Sequence, residues 1–221
     1  LDLGAESSRP GSEPVGPAEE QDRLLPVIEA LRSETDIPLT VDTVRADTAR
    51  AALAAGAEAV NDISAGTLDP AMLSLVAEAG CGLVLMHMQG TPRTMQDDPR
   101  YHDVIAEVLG WLAGRCRLAE EAGVPPTRLM VDPGSGFGKN LAHNLSLLKG
   151  LQEVAANRPL LVGASRKRFI AGITGAAVED RLPGSLAAVA AAWQGGATMV
   201  RVHDVAATRP FLEVMKAVAG A

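Results

Sequence analysis

Aromatic residues are scarce in this chain: Phe, Tyr and Trp make up 3% of its 221 residues. Leu, Val, Ile and Ala must therefore fill the core. Cysteine is just as sparse. Cys81 and Cys116 stand far apart with no CxxC spacing, so two buried free thiols are expected rather than a disulfide or a metal knuckle. No run of about 18 apolar residues occurs, which speaks against a membrane-spanning helix. No basic segment leads into an apolar one near the start, so no secretory signal is expected and the cytoplasm is the expected compartment. The formal net charge is -7 with no basic stripe, which argues against nucleic acid as the partner. His87, His102, His143 and His203 follow no HExxH or other zinc spacing, and no GxSxG elbow is present.

Short apolar runs alternating with helical patterns fill the rest. Strands are expected at 39–42, 58–62, 83–88, 129–132, 160–163 and 199–203, with 1–3 as the end of another. The runs are continuously apolar, as in parallel strands covered on both faces. Helical stripes carry Leu73, Val76 and Ala77; Ile105, Val108, Leu112, Cys116 and Ala119; Leu186, Val189, Ala190 and Trp193; and Phe211, Val214, Met215 and Val218. Asp69-Pro70 reads as an N-cap with Pro at the first helical position, and Gly80 as the stop. The chain is long enough for one core and too short for two ordinary enzyme domains, so 1–221 reads as a single domain.

Nearly every strand ends in a functional side chain: Asp42, Asn61, His87, Asp132, then Arg201 and His203. Polar groups converging from the ends of many strands point to a (β/α)8 barrel. An open sheet would gather them at one switch point. With seven strands on view, the expectation is an α/β TIM barrel whose first β/α unit is missing from this chain, hence an N-terminally incomplete domain.

The segment Asp132-Pro-Gly-Ser-Gly-Phe-Gly-Lys139 fails the P-loop spacing, since three residues separate Gly134 from Gly138 and Asn140 follows the Lys. It reads as a mobile glycine loop after a strand ending in a carboxylate. Gly163-Ala-Ser-Arg-Lys-Arg168 sets Arg166, Lys167 and Arg168 at the mouth. Arg201 and His203, two apart, are expected on one strand face. Loops after the last strands of a barrel commonly hold phosphate, so these five cationic groups suit a dianion or pyrophosphate. A lone Arg or Lys is ordinarily a solvated charge, and the adjoining set is what argues otherwise. Asp42, Asn61 and Asp132 supply acceptors and one amide, fit for a flat heterocycle with an amino group beside a ring N–H. Asp42 alone reads equally well as a helix cap. Ser165 has no evident base partner, so no covalent mechanism is expected.

Glu6-Ser-Ser-Arg-Pro-Gly11, Val41-Asp-Thr43, Asn61-Asp-Ile63, Met86-His-Met-Gln-Gly90, Asp132-Pro-Gly-Ser-Gly-Phe-Gly-Lys139, Ser165-Arg-Lys167 and Arg201-Val-His-Asp204 stand in the order found in the dihydropteroate synthases. The resemblance covers essentially the whole chain. It implies a transferase of folate biosynthesis, a sulfonamide target, that joins p-aminobenzoate to 6-hydroxymethyl-7,8-dihydropterin pyrophosphate and releases pyrophosphate by a dissociative substitution. It implies pterin contacts at Asp42, Asn61, Asp132, Lys167 and Arg201, and pyrophosphate on Arg201 and His203. Lys167, Arg201 and His203 would be catalytic. Ser8, Arg9, Pro10, Phe137, Ser165 and Arg168 would serve the p-aminobenzoate side. It also implies Mg2+ and a homodimer paired through late barrel helices.

Three departures stand out. An Asn-Val-Thr-Pro-Asp-Ser-Phe-like segment, which carries an Asn associated with the magnesium, is absent, so no metal ligand is expected in this chain. Ser8 replaces the usual Thr and keeps the hydroxyl. Ser135 stands where a larger apolar residue is common and is expected to loosen the glycine loop. Two other readings remain at this level: a methyltetrahydrofolate:corrinoid methyltransferase, which the cationic groups oppose, and a non-catalytic pterin-binding paralogue or fragment.

Overall fold

The computed structural model describes residues 1–8, 12–155 and 158–221. Seven short strands are present among them: β1 (Asp2–Leu3), β2 (Thr40–Asp42), β3 (Ala59–Asp62), β4 (Gly82–Met86), β5 (Leu129–Asp132), β6 (Leu161–Val162) and β7 (Met199–Val200). The helices between and after them are α1 (Pro17–Glu34), α2 (Ala46–Ala54), α3 (Ala71–Ala79), α4 (Val104–Glu121), α5 (Leu141–Lys149), α6 (Leu151–Ala155), α7 (Arg168–Thr174), α8 (Leu182–Gln194) and α9 (Val205–Ala219).

Strand order decides the architecture. β1 to β5 lie side by side in chain order, every pair parallel. A parallel bridge from Val131 to Leu160 carries the series to β6, which pairs with β7. The order never reverses, as it would at the switch point of a doubly wound sheet. The chain therefore winds in the sense of a TIM barrel. The described ladder runs from β1 to β7, and side chains rather than strand pairing join those two ends.

Several strands are shorter than their apolar runs suggest. The expected strand 83–88 stops at Met86, and the expected 199–203 stops at Val200. Past these points one backbone bond continues each ladder, from the His87 amide to the Asp132 carbonyl and from the Arg201 amide to the Val162 carbonyl, both at 3.0 Å, before the backbone turns into the mouth. Arg201 and His203 thus lie beyond β7, and the two-residue alternation of a strand does not place them on one face.

The core forms where the strand interiors meet the helix stripes. Val41, Val60, Leu83, Leu85, Leu129 and Val131 pack with Leu24, Ile28, Ala49, Leu112 and Leu147 in one apolar cluster. Cys81 and Cys116 are free and buried, as expected. A second, smaller cluster of Ile63, Met86, Met95 and Phe137 lies past the strand ends. Among the described residues no helix is long and apolar enough to cross a membrane.

Helix starts differ from expectation in two respects: Pro70 stands at the cap position of α3 rather than at its first helical position, and Asp69 serves two helices. Asp69 does not cap α3 alone. Its Oδ1 accepts from the Ala71 amide at 3.0 Å, while Oδ2 accepts from the Ala46 amide at 2.7 Å and so caps the neighbouring α2. Asp42, by contrast, caps no helix, since Arg45 holds the cap position of α2.

Below the mouth, the 1% exposed Glu20 of α1 forms a buried polar knot. It accepts from Thr43 Oγ1 at 2.8 Å, Thr48 Oγ1 at 2.7 Å and Arg45 Nη1 at 2.8 Å. The same guanidinium donates to Glu6 and to the Val15 carbonyl, so α1, α2 and the segment after β1 share one anchor. Removing one partner of a buried ionic knot strands the others. Glu20→Ala should lower unfolding free energy by about 3 kcal/mol, read by urea denaturation. Glu20→Gln, which keeps an acceptor and its volume, should cost less. Equal, small losses for both would contradict this anchoring role.

Candidate active site

The C-terminal ends of the strands bring together charges that are far apart in sequence. Arg201, just past β7, donates from Nε to Asp2 Oδ2 at 2.5 Å and from Nη2 to Asp42 Oδ2 at 3.0 Å. Asn61 Nδ2 donates to the same Asp2 oxygen at 3.2 Å. Asp2 is a residue that strand-end reasoning passes over. Its signal in the sequence is a carboxylate set between Leu1 and Leu3 in an apolar run, the same oddity that marks Asp42 and Asp132.

Burial tunes these acids. The Asp42 carboxyl is raised to about 7, first by burial and then by the neighbouring Asp2 charge, with Arg201 opposing. Asp132 is raised to about 6 by burial, opposed by the Gly134 amide, which donates to its Oδ1 at 2.7 Å, and by Lys167, Lys139 and Arg201. Gly163 separates Asp132 from Arg201: a Cβ there would lie 3.9 Å from both Asp132 Oδ2 and Arg201 Cβ.

The glycine loop packs closely against the segment after β4. Gly134, Gly136 and Gly138 adopt positive φ of 69°, 81° and 61°. A Cβ on Gly134 would stand 1.9 Å from the His87 carbonyl oxygen, and one on Gly138 would stand 2.6 Å from that of Gln89. The glycines are there for close backbone approach. Ser135 is buried, so its small side chain leaves the loop packed. Phe137 sits between the small apolar cluster and Lys167, whose Nζ lies 4.2 Å from the ring centroid, within cation–π range.

The basic segment after β6 splits into two roles. Lys167 holds the N-cap position of α7 and faces the mouth. Arg166 does not join it. Its Nε donates to Asp204 Oδ2 at 2.9 Å, its amide donates to Ser185 Oγ, and its carbonyl accepts from Arg181. These bonds hold Arg166 at φ 55°, a left-handed conformation that costs a non-glycine residue roughly 1 kcal/mol or more. Arg168 is exposed at the start of α7. The expected group of five cations therefore reduces to Lys167, Arg201 and His203 at the mouth.

Ser165 does have an imidazole neighbour. Its Oγ lies 3.0 Å from His203 Nδ1 and accepts from the His203 amide at 3.3 Å. His203 thus turns toward the β6–α7 loop, while Arg201 turns toward β1 and β2. Ser8 is partly buried after β1. Arg9 and Pro10 lie outside the described residues.

Comparison with known proteins now bears on this site. The sequence model of the pterin-binding enzymes matches residues 1–203, and the chain belongs to that family. Dihydropteroate synthase of Synechocystis sp. is 43% identical over 219 residues, which cover 98% of this chain and 76% of that protein. The structure of Xanthomonas albilineans dihydropteroate synthase with 4-aminobenzoic acid matches with a TM-score of 0.95 and 46% identity, covering 100% of this chain and 79% of that one. The same enzyme in complex with 7,8-dihydropteroate matches at 0.90 and 43%, with 100% and 79% covered. Within the family, the function these matches define is dihydropteroate synthesis, a transferase reaction of folate biosynthesis.

The glycine loop gives a direct test of the packing. Gly134→Ala must displace the backbone of β4's end, whereas Gly175, at φ 71° with nothing within 4 Å of an added methyl, meets only the left-handed cost. Gly175→Ala should lose about 1 kcal/mol, and Gly134→Ala at least about 2 kcal/mol more, measured as shifts in urea midpoint. Equal losses would mean that the loop yields freely.

Proposed function

We propose that the mouth binds the dihydropterin pyrophosphate on Asp132, Asn61, Asp42, Lys167 and Arg201, and that p-aminobenzoate enters beside Phe137 and Ser165. The observation that carries this reading is a buried carboxylate, Asp132, that borders Gly163 together with Arg201 and feels the charges of Lys167 and Arg201. A pterin edge offers an amino group and a ring N–H side by side, and a carboxylate accepts both. Lys167 donates to the carbonyl side of the ring.

The leaving pyrophosphate gains charge as its C–O bond breaks. The electron pair departs with the oxygen, and a delocalised pterin methylene cation remains. Arg201 and His203 stabilise the departing anion, each such contact lowering the barrier by roughly 3–4 kcal/mol. The aromatic amine, a weak nucleophile, then bonds to the methylene carbon and loses a proton. Buried carboxylates stabilise the cation, so no side-chain nucleophile takes part. Ser165 and His203 orient one another at the rim in this scheme.

Arg201 begins on Asp2 and Asp42, and pyrophosphate competes with them for it. Among the described residues no group of three or more His, Cys, Asp or Glu is placed to hold a metal ion. Mg2+ commonly binds through one or two carboxylates plus substrate phosphates, and Asp2 and Asp42 offer hard oxygens of that kind. The ion would supply charge neutralisation of the leaving group. The two buried free thiols suit a reducing, cytoplasmic setting. A homodimer is the assembly this reading carries. α8 already packs within the chain, whereas Val205, Val214 and Val218 of α9 are exposed, so α9 is the late helix with apolar surface to pair.

Pterin binding requires Asp132 ionised. Its folded pKa of about 6 lies above the ordinary carboxylate value, so the competent form is lost as pH falls through 6. The dissociation constant for the pterin should be flat above about pH 8, where Asp42 is ionised too, and rise about tenfold per pH unit below 6, measured by calorimetric titration. A constant affinity from pH 8 to 5 would refute the assignment. Asp132→Asn presents a donor to donors, and it should weaken pterin binding by about 3 kcal/mol, about a hundredfold. Unchanged affinity would remove Asp132 from the site.

A further inference from the structure

Lys139 takes no part in the reaction as written, yet it is 3% exposed and sits behind the mouth. Its Nζ lies 2.8 Å from the Phe137 carbonyl oxygen, 2.9 Å from His87 Nδ1 and 3.3 Å from the His87 carbonyl oxygen. An ammonium has three donors and no acceptor, so all three are engaged, and every partner is neutral. With Lys139 charged, His87 Nδ1 accepts and the imidazole proton sits on Nε2. The imidazole packs against Trp111, ring centroids 5.0 Å apart and edge-on.

The surroundings say what the pair is for. Three successive carbonyls of the glycine loop each receive a different side chain: Gly136 from Gln96 Nε2 at 2.5 Å, Phe137 from Lys139, and Gly138 from Tyr101 Oη at 2.8 Å. The middle bond belongs to the residue whose ring lies under Lys167. Phe137 is thus held at both ends: its carbonyl accepts from Lys139, and its ring lies 4.2 Å from Lys167 Nζ. Resting on the proposed placement of p-aminobenzoate beside Phe137, we infer that Lys139 and His87 are a positioning pair that sets the Phe137 ring and thereby the site of the second, aromatic-amine substrate.

The pair is not a generic stabiliser. A buried ammonium without a contacting carboxylate is unfavourable, and burial depresses Lys139 to about 7 and His87 to about 3. An apolar residue would fill the space at lower cost. What it would not supply is a donor to the Phe137 carbonyl.

The test compares Lys139→Met, His87→Leu and His87→Gln with the unaltered chain. Lys139→Met keeps the length and loses every donor. His87→Leu loses the acceptor, and His87→Gln keeps one in its side-chain carbonyl. Steady-state kinetics should show KM for p-aminobenzoate raised about tenfold or more in Lys139→Met and His87→Leu. The pterin dissociation constant should stay within about threefold of the parent, and His87→Gln should return KM most of the way. Loss of folded protein alone would lower kcat and leave both constants unmoved. Hydrogen exchange at the Gly134 and Gly136 amides reads the loop without turnover: exchange should quicken in Lys139→Met and His87→Leu and stay slow in His87→Gln. A parent chain that makes no dihydropteroate would defeat the proposed substrate placement, and the exchange rates would still decide the pair's effect on the loop. Parent-like exchange and KM in Lys139→Met would overturn the inference.

Discussion

Arg201 lies 199 residues from Asp2 and 159 from Asp42 along the chain, yet its guanidinium touches both carboxylates. This contact joins the ends of the strand series, because the described ladder passes from β1 to β7 without pairing the two directly. It also positions the charge on which the proposed chemistry relies. Asp2 links Arg201 to Asn61, and both Arg201 Cβ and Asp132 Oδ2 border Gly163. The guanidinium thus ties the two ends of the strand series together at the mouth.

The same low-dielectric setting acts on both signs of charge. It raises Asp42 and Asp132 and lowers Lys139 and His87, so each ionised group depends on its opposite. Asp2, Asp42 and Asp132 face Arg201, Lys167 and Lys139. A dianionic ligand arriving at this balance competes for cations already engaged, which links its binding to the state of the acids around it. The glycine loop belongs to that arrangement: its carbonyls turn outward to Gln96, Lys139 and Tyr101, and its Gly134 amide supports Asp132.

Much of this was legible from residue order. Apolar runs ending in Asp42, Asn61, Asp132 and Arg201 mark strands and site together, because a barrel aims its strand ends at one point. α1 was not legible as a stripe. Its buried face is narrow and includes the charged Glu20, whose partners Thr43, Arg45 and Thr48 become visible only when α2 is packed beside it. Arg166 and Lys167 look alike in sequence, and the tertiary partner Asp204 separates them. The Ser165 and His203 contact joins two loops that no local pattern relates. Glycine composition did not show how closely this loop approaches the His87 and Gln89 carbonyls.

The central claim is that Arg201 serves the departing pyrophosphate in a mouth built around buried carboxylates. The most direct measurement is pyrophosphate release from the dihydropterin pyrophosphate, with magnesium, with and without p-aminobenzoate, for the chain and for Arg201→Met. The account predicts release that depends on p-aminobenzoate and falls at least about a hundredfold in the variant. Release that ignores p-aminobenzoate, or that survives the loss of Arg201, would contradict it.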